Sequence, residues 1–405
     1  MGRFVVVVLD SFGVGAMDDV ALVRPQDVGA NTCKHIMQKV SELRLPTLCQ
    51  LGLMNALGEE IGENHFSSTA VYGVAELMHI GADSFYGHQE IMGTLPQEPL
   101  LQPFRDVKEE VAAALTRAGY RVSLVGVGEQ TQLVAVNDSA VVGDNLETDL
   151  GQVYNVSGCL DAMSYEEIVQ IGRVVRSVVK VSRVIAFGGE GVSFEQLMEA
   201  KSSKADGLYT GIDTPKSGLY EQGYRVTHLG YGVDPSVQVP TLLGLKGIEV
   251  SFIGKVGDIV DNREGRAFPG VETEALFEEC LNEVQRIGHG FICLNIQETD
   301  LAGHAENAER YADRLQVSDR YLGKLLMMLH GDDLLIVTAD HGNDPTIGHS
   351  HHTRERVPIL IYKEGVQGIK LGCLPTLSDI GASVADYFRV ERPENGHSFL
   401  TKLLN

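Results

Sequence analysis

A series of short, uninterrupted apolar runs constrains the fold of this chain more than any other feature. The first run, residues 4–9 (FVVVVL), is rich in β-branched side chains and ends at Asp10, with Gly13 and Gly15 shortly beyond it. An apolar run without polar alternation is typical of a parallel strand that is buried on both faces. Similar runs lie at residues 122–125, 183–187, 249–253, 290–296, 334–338 and 358–362.

Helical patterns separate several of these runs. Apolar periodicity predicts helices over residues 107–118, 165–178, 272–287 and 305–329. Strands that alternate with helices of this length indicate a mostly parallel sheet with helices on both faces. We therefore predict a protein of the α/β class.

The middle of the chain differs from its two ends. Residues from 95 to about 240 have their own α/β pattern, which is followed by a stretch rich in Gly, Asp and Tyr at 205–233. The first and last thirds contain nearly all of the Asp and His clusters. We predict a discontinuous core formed by residues 1–94 and 240–405, with a smaller α/β cap domain, residues 95–239, inserted into it.

The charge balance limits the partners of the protein. The 405 residues include 55 acidic and 33 basic side chains, a formal net charge of −22. Because a field of this sign repels nucleic acids and anionic membranes, we expect neither as a partner. No apolar run reaches the roughly 18–20 residues of a membrane-spanning helix, and we expect no secretory leader.

The cysteine pattern indicates a compartment. Six cysteines stand far apart, with no Cys-x-x-Cys pair among them: Cys33, Cys49, Cys159, Cys280, Cys293 and Cys373. This spacing favours small buried side chains over a disulfide framework or a zinc site. We predict a cytoplasmic protein with reduced thiols.

Two acidic segments follow predicted strands. Asp10 comes directly after the first strand, at the edge of the sheet where α/β proteins bind ligands. Asp300 and His304 follow the run at 290–296 and are spaced by one helical turn, so they can offer a carboxylate and an imidazole to one divalent metal. The alternative for Asp10 is a carboxylate that caps a turn or helix.

Two histidine-containing segments complete the pattern. Asp340 and His341 emerge directly from the run at 334–338, and a glycine after them permits a close turn. His349, His351 and His352 lie just before the run at 358–362. A solvated loop remains the alternative for one or two of these three histidines.

Together, the four strand ends supply ligands for two divalent cations. Three aspartates and at least three histidines suffice for mixed ligation with positions left for substrate, and two such ions can clamp a phosphoryl group. Ser84, in a glycine-flanked loop beside Asp83 and four residues before His88, is the candidate nucleophile. The alternative is a turn serine that bonds to its own backbone.

These segments resemble the phosphopentomutases, metal-dependent members of the alkaline phosphatase superfamily, which also includes cofactor-independent phosphoglycerate mutases. The resemblance runs through residues 8–15, 29–32, 81–93, 252–259, 299–304, 338–346, 352–358, 378–381 and 395–399. It implies an alkaline-phosphatase-like α/β sandwich core with two manganese ions and an inserted cap.

The resemblance also assigns residues by position. The implied ligands of one metal are Asp300, His304 and His352. The implied ligands of the other are Asp10, Asp340, His341 and the hydroxyl of Ser84. Ser84 would be phosphorylated in the resting enzyme, and Lys255 would lie near the substrate. The expected ions are Mn²⁺, although Asp and His ligands also accept Zn²⁺.

The chain departs from the family at several positions. Where the family reads Gly-Lys-Asp-Thr-x-x-Gly-His-Trp-Glu, this chain has Ala82 for the lysine, Ser84 for the threonine and Gln89 for the tryptophan. Serine keeps the hydroxyl, whereas alanine removes a cation beside it. The cap lacks the family's Ala-Arg-Pro-Phe run, and its later segment keeps only Arg225. The resemblance therefore implies the core chemistry but not a ribose phosphate substrate.

The leading hypothesis is a dinuclear-metal phosphomutase, an isomerase that moves a phosphoryl group within a small phosphorylated metabolite, such as a sugar phosphate, through phospho-Ser84. One alternative is a phosphohydrolase that uses the same metals and nucleophile with water as acceptor. Another is a catalytically inactive metal-binding relative. The core motifs do not separate mutase from hydrolase, because that choice depends on how water is excluded.

Overall fold

The structure is a computed structural model that describes residues 2–126, 128–147 and 150–404. The chain forms two compact units. The core unit comprises Met1–Pro96 and Asp234–Asn405, and the inserted unit comprises Gln97–Val233. The predicted boundaries at 94/95 and 239/240 compare with observed divisions at 96/97 and 233/234.

An eight-stranded sheet forms the centre of the core unit. In spatial order its strands are Arg266–Phe268, Glu249–Ile253, Gly290–Ile296, Arg3–Leu9, Leu334–Thr338, Val357–Lys363, Val71–Ala75 and Lys370–Leu374. Every residue of Arg3–Leu9, Gly290–Ile296 and Leu334–Thr338 is buried, as expected for apolar runs covered on both faces. The predicted strands at 249–253, 290–296 and 334–338 are confirmed. Three short or less apolar strands were not predicted: Arg266–Phe268, Val71–Ala75 and Lys370–Leu374.

One strand of this sheet runs against all the others. Val357–Lys363 pairs antiparallel with Leu334–Thr338 on one side and with Val71–Ala75 on the other. The remaining pairs in the sheet are parallel. As a result, the chain enters Val357–Lys363 at the same edge of the sheet where the other strands end.

The helices of the core unit pack in two groups. Ala308–Leu326 packs against Thr273–Arg286 and Thr32–Lys39, while Ser378–Phe388 packs against Ser84–Ile91 and Val239–Gly244. The other helices of the core unit are Val20–Val23, Pro46–Leu51, Leu53–Leu57, Val256–Ile259, Glu298–His304 and Leu400–Leu404, with short 3₁₀ turns at Pro25–Asp27 and Pro235–Val237. The predicted α/β class is confirmed by this alternation of strands and helices.

Local capping sets where the predicted helices begin. The helix predicted over 305–329 is observed as Ala308–Leu326, because the side chain of Asn307 accepts a hydrogen bond from the backbone N–H of Arg310 at 2.8 Å and starts the helix there. The helix predicted over 272–287 is observed as Thr273–Arg286.

The inserted unit has a sheet of its own. In spatial order its strands are Arg225–Gly230, Arg183–Gly189, Val153–Cys159, Ala140–Asp144, Leu133–Val136 and Val122–Val125. Only Arg183–Gly189 and Val153–Cys159 pair in parallel. Lys201–Lys204 and Tyr209–Ile212 form a separate hairpin. The helices of this unit are Lys108–Arg117, Tyr165–Arg176, Phe194–Glu199 and Thr214–Ser217, with 3₁₀ turns at Phe104–Asp106 and Glu129–Thr131.

Two further expectations concern membranes and cysteines. Among the helices described, none combines the length and the apolar character needed to cross a bilayer.

All six cysteines are free thiols: four are buried, Cys49 is half-buried and Cys373 is exposed. The expectation of buried cysteines is therefore wrong for Cys373, which follows a kink in the edge strand Lys370–Leu374.

Candidate metal centre and active site

Four neighbouring parallel strands deliver polar side chains to one edge of the core sheet. In the order of the sheet, the residues that follow these strands are Lys255, Asp300, Asp10 and Asp340. Carboxyl ends of parallel strands meet at one edge, which is where open α/β sheets bind their ligands. The strand order therefore brings together residues that are hundreds of positions apart in the sequence.

The antiparallel strand explains how His352 reaches the same edge. His352 precedes Val357–Lys363, and this strand begins where its parallel neighbours end. Its two neighbours in sequence do not join the cluster, because the ring of His349 bonds to Asp27 at 3.1 Å and His351 is exposed. Of the three predicted loop histidines, only His352 is described in contact with a carboxylate of this cluster, that of Asp300.

Asp10, Asp340 and His341 form the first ligand group. All three side chains are fully buried. His341 Nε2 lies 3.5 Å from Asp10 Oδ1 and 3.3 Å from Asp340 Oδ2. One nitrogen and carboxylate oxygens from each aspartate lie close enough to share a single cation.

Asp300, His304 and His352 form the second ligand group. His304 Nε2 lies 3.3 Å from Asp300 Oδ2, and His352 Nε2 lies 3.4 Å from Asp300 Oδ1. The rings of His341 and His352 stack with their centroids 3.9 Å apart, so the two groups adjoin. By distance alone, His341 could also share an ion with Asp300 and His352.

The three imidazoles of these groups are oriented in the same way. In each ring Nδ1 lies within hydrogen-bond distance of a backbone carbonyl oxygen. For His304, His352 and His341 these oxygens belong to Ser350 at 2.6 Å, Ala82 at 3.0 Å and Gly342 at 2.9 Å. Because a carbonyl only accepts, Nδ1 carries a hydrogen in each ring, and in the neutral ring that binds a metal Nε2 then presents a lone pair. Histidines that bind metals are held in this way.

The lone pairs that result need a cation. The Nε2 atoms of His304 and His352 face each other at 3.0 Å, and in the neutral rings neither has a hydrogen to donate. His341 Nε2 and Asp10 Oδ1 are buried and make no hydrogen bond to any residue that the structure describes. Unpaired acceptors of this kind are costly in a folded protein. The residues present therefore fit divalent metal ions.

The electrostatics of the site are dominated by the three carboxylates. Burial, reinforced by the charge of Asp340, raises the pKa of Asp10 to about 7. Burial lowers the pKa of Lys255, but the carboxylates of Asp10 and Asp300 outweigh it and the net effect raises this pKa. Lys255 Nζ lies 3.0 Å from Asp10 Oδ2 and 3.8 Å from Asp300 Oδ2. One ammonium does not balance three carboxylates, so the site favours additional positive charge.

Ser84 lies at the start of a helix beside the first ligand group. The helix Ser84–Ile91 is capped by the side chain of Asp83, which accepts a backbone N–H from its first turn. Ser84 Oγ donates a hydrogen bond to Asp340 Oδ2 at 2.7 Å. Gly87 permits this approach, since a Cβ at that position would lie 2.4 Å from the carbonyl oxygen of Asp340. The structure thus brings together all eight predicted site residues, namely the six metal ligands, Ser84 and Lys255.

Sequence patterns missed several residues that support the ligands. Ser11 has a left-handed backbone (φ +69°), which directs its N–H to Asp340 Oδ1 at 3.0 Å. Asn343 Nδ2 donates to Asp300 Oδ1 at 3.0 Å, and Asn295 Nδ2 donates to Asp10 Oδ2 at 3.0 Å. Asn295 did carry a signal, because it is a lone amide in an otherwise apolar strand.

Arg354 is a structural residue in this fold. Its guanidinium donates to both carboxylate oxygens of Asp19 at 2.8 and 2.9 Å, and to the carbonyls of Leu77, His79 and Gly81 at 2.6–3.1 Å. The side chain is almost completely buried. Arg354 therefore anchors the loop that leads to Ser84 and has no donor left for a phosphate.

We expect Arg354→Ala to lower the free energy of unfolding by about 3 kcal/mol or more, because the buried carbonyls of Leu77 and His79 lose their donor at about 1–3 kcal/mol each, and the partly buried carbonyl of Gly81 loses one as well. Urea denaturation measures this loss. Arg263→Ala is the matched control, since Arg263 is 67% exposed and pairs with Asp261, two residues before it. A loss below about 1 kcal/mol for Arg354→Ala, the value of a surface ion pair, would contradict the anchoring role.

Comparison with known proteins connects this site to a family. The model of the metalloenzyme superfamily matches residues 2–392, nearly the whole chain. The match therefore includes every residue of the two ligand groups and Ser84.

Two curated relatives and one solved structure illustrate what the chain is similar to. Phosphopentomutase from Shewanella pealeana is 32% identical over 431 aligned residues, covering 99% of this chain and 100% of its own. Phosphopentomutase from Desulfitobacterium hafniense is 29% identical and covers 100% of both chains. A solved protein of the alkaline phosphatase superfamily from Vibrio parahaemolyticus has 10% identity and a TM-score of 0.43, covering 99% of this chain and 69% of its own.

Proposed function

The chain belongs to the metalloenzyme superfamily as a phosphopentomutase-like member, and from this premise we propose that it is a phosphomutase. It moves a phosphoryl group between two positions of a small sugar phosphate through phospho-Ser84. The observation that carries the proposal is the hydrogen bond from Ser84 Oγ to Asp340 Oδ2, at 2.7 Å, beside the two ligand groups. A serine so placed is a nucleophile next to a site for cations.

The proposed cofactors are two divalent cations, with Mn²⁺ as the first candidate and Zn²⁺ as the second. Asp300, His304 and His352 would hold one ion. Asp10, Asp340, His341 and Ser84 would hold the other. When bound, such ions neutralise the oxygens of a transferring phosphoryl group and favour deprotonation of a hydroxyl.

Ser84 carries the phosphoryl group in the proposed reaction. In the first step the bond between phosphorus and Ser84 Oγ breaks, and phosphorus bonds to a hydroxyl oxygen of the sugar phosphate. That hydroxyl gives up its proton, and Ser84 regains a proton. The second step returns the other phosphoryl group of the bisphosphate to Ser84. The net result is a positional isomer with no phosphate released.

Lys255 and the helix that begins at Ser84 help to hold the anionic substrate. The Lys255 ammonium lies beside Asp10 and Asp300 and can turn toward a phosphoryl oxygen, because its side chain is partly accessible. The positive end of the helix points in the same direction, since Ser84 is its first residue. These local charges allow a protein of net charge −22 to bind a phosphate.

The test determines which molecule carries the phosphoryl group after the reaction. Purified protein with Mn²⁺ and a trace of a sugar bisphosphate is incubated with pentose and hexose phosphates, and phosphorus NMR records the products. We expect positional isomers without free phosphate, and mass spectrometry should find phosphoserine at Ser84. Release of inorganic phosphate would instead identify a phosphohydrolase. Binding of metal with no turnover of any substrate would indicate an inactive relative.

The proposed location of this activity is the cytoplasm. The proposal is supported by six free thiols and by the lack of a candidate membrane span in the described part of the chain. Fractionation of the source cells should recover the protein with cytoplasmic markers. Recovery with an exported fraction would contradict the proposal.

A further inference from the structure

His88 lies between the nucleophile and the ligand groups but belongs to neither. It stands one turn after Ser84 in the helix Ser84–Ile91 and is completely buried. Its Nδ1 lies 2.9 Å from the carbonyl oxygen of Ser84 and 3.1 Å from Asp340 Oδ2. Its Nε2 lies 3.0 Å from Asn295 Nδ2.

The chemistry of the neighbours decides the direction of these hydrogen bonds. Both atoms near Nδ1 are oxygens that only accept, so Nδ1 carries a hydrogen that they share. Asn295 Nδ2 also lies 3.0 Å from Asp10 Oδ2, and the amide must present its nitrogen there because two oxygens would repel. Its second hydrogen then points at His88 Nε2, which accepts.

The result is a continuous hydrogen-bonded chain through the site. Asn295 donates to Asp10 and to His88, and His88 donates to Asp340 and to the carbonyl of Ser84. Asp340 Oδ2 is also the atom that accepts the Ser84 hydroxyl. One buried imidazole therefore links both aspartates of the first ligand group to the helix that carries the nucleophile.

We propose that His88 is a positioning residue that holds Asp340 and Ser84 in a fixed relation through its Nδ1–H. This inference rests on the proposed phosphomutase function. Without the Nδ1 donor, the Asp340 oxygen that accepts from Ser84 can rotate, and the two aspartates lose their connection through Asn295. Residues that orient metal ligands typically contribute about 10- to 100-fold to metal affinity or activity.

Three substitutions separate hydrogen bonding from packing. In His88→Asn, the amide nitrogen can take the place of Nδ1 and keep the donor to Asp340. In His88→Gln, the longer side chain can reach Asn295 but leaves no donor at the Nδ1 position. In His88→Phe, the ring fills the space and provides neither bond.

We expect the Mn²⁺ affinity and kcat of His88→Asn to stay within a few fold of those of the unsubstituted protein. His88→Gln and His88→Phe should each weaken Mn²⁺ binding by about 10- to 100-fold, measured by competition with a fluorescent chelator. In the same two variants kcat should fall while KM for the sugar phosphate stays unchanged, because His88 is completely buried behind the site. Circular dichroism checks that each variant folds, and if His88→Phe does not, the Asn and Gln variants carry the test.

His65→Gln makes the same change at a histidine that is 63% exposed and should leave Mn²⁺ binding unchanged. If His88→Asn and His88→Gln had equal Mn²⁺ affinity and equal kcat, whether both were retained or both were reduced, the positioning role would be overturned. If the unsubstituted protein forms no phosphoserine, the proposed function fails, but the order of Mn²⁺ affinities still tests the role of His88.

Discussion

Substituting Ser84 with alanine should abolish phosphoserine formation and lower kcat for isomer formation by at least about 1,000-fold, as removal of a catalytic nucleophile does in other enzymes. The reason is that Ser84 Oγ is the hydroxyl bonded to Asp340, at 2.7 Å, in the middle of the candidate site. The loss should appear in kcat, with little change in Tm, because the removed group is a single hydroxyl. Stopped assays with phosphorus NMR and intact-mass measurement provide both readouts.

Ser84→Thr tests whether a different hydroxyl at this position can replace that of serine. Threonine keeps the hydroxyl and matches the residue that phosphopentomutases carry at this position, so we expect measurable phosphothreonine and turnover. Ser193→Ala serves as the control, because Ser193 caps a surface helix in the inserted unit. Full turnover by Ser84→Ala would show that the phosphoryl group does not pass through this residue.

Mn²⁺ should stabilise the protein, and Asp340→Asn should remove most of that stabilisation. A ligand at 100 times its Kd that binds only the folded state adds about 2.7 kcal/mol. For a chain of 405 residues the gain corresponds to a rise in Tm of roughly 3–5 °C, the upper value applying if the core unit unfolds alone. Asp340 is central because its carboxylate contacts His341 at 3.3 Å, Ser84 at 2.7 Å and the backbone of Ser11 at 3.0 Å.

Differential scanning fluorimetry with and without a chelator measures this effect. Burial raises the pKa of Asp340, but the charges of His341 and His88 outweigh it and hold this pKa well below its usual range, so the carboxylate stabilises the folded state. Without metal, Asp340→Asn should therefore lower Tm, and the quantity compared is the rise that Mn²⁺ adds to the Tm of each variant. Asp138→Asn, at a site 61% exposed, is the matched control and should keep the full Mn²⁺ response. A metal-induced rise in Tm that survives in Asp340→Asn would contradict the assignment of this carboxylate to the metal.

Local sequence patterns determined the strands and the residues at their ends. A run such as residues 4–9 forms a buried strand because each apolar side chain favours burial on whichever face it occupies, and this tendency does not depend on the neighbours. Asp10, Asp300 and Asp340 were therefore predictable as residues at strand ends. The Ser84 loop was recognisable from its motif, and the helices were predictable from their periodicity.

The convergence of those strand ends was decided only by the tertiary structure. Pairing of Arg3–Leu9 with Gly290–Ile296 and Leu334–Thr338 joins segments about 300 residues apart, and a local pattern contains no information about which strands pair. The antiparallel direction of Val357–Lys363 brings in His352 alone among three neighbouring histidines.

The supporting contacts also depended on the tertiary structure. The left-handed backbone of Ser11, the amide of Asn295 and the ring of His88 act through hydrogen bonds to partners that are distant in sequence. A residue type reveals which bonds a side chain can make, but long-range packing decides which partner it meets. For that reason the sequence alone determined the kinds of ligand, and only the fold decided how they are held.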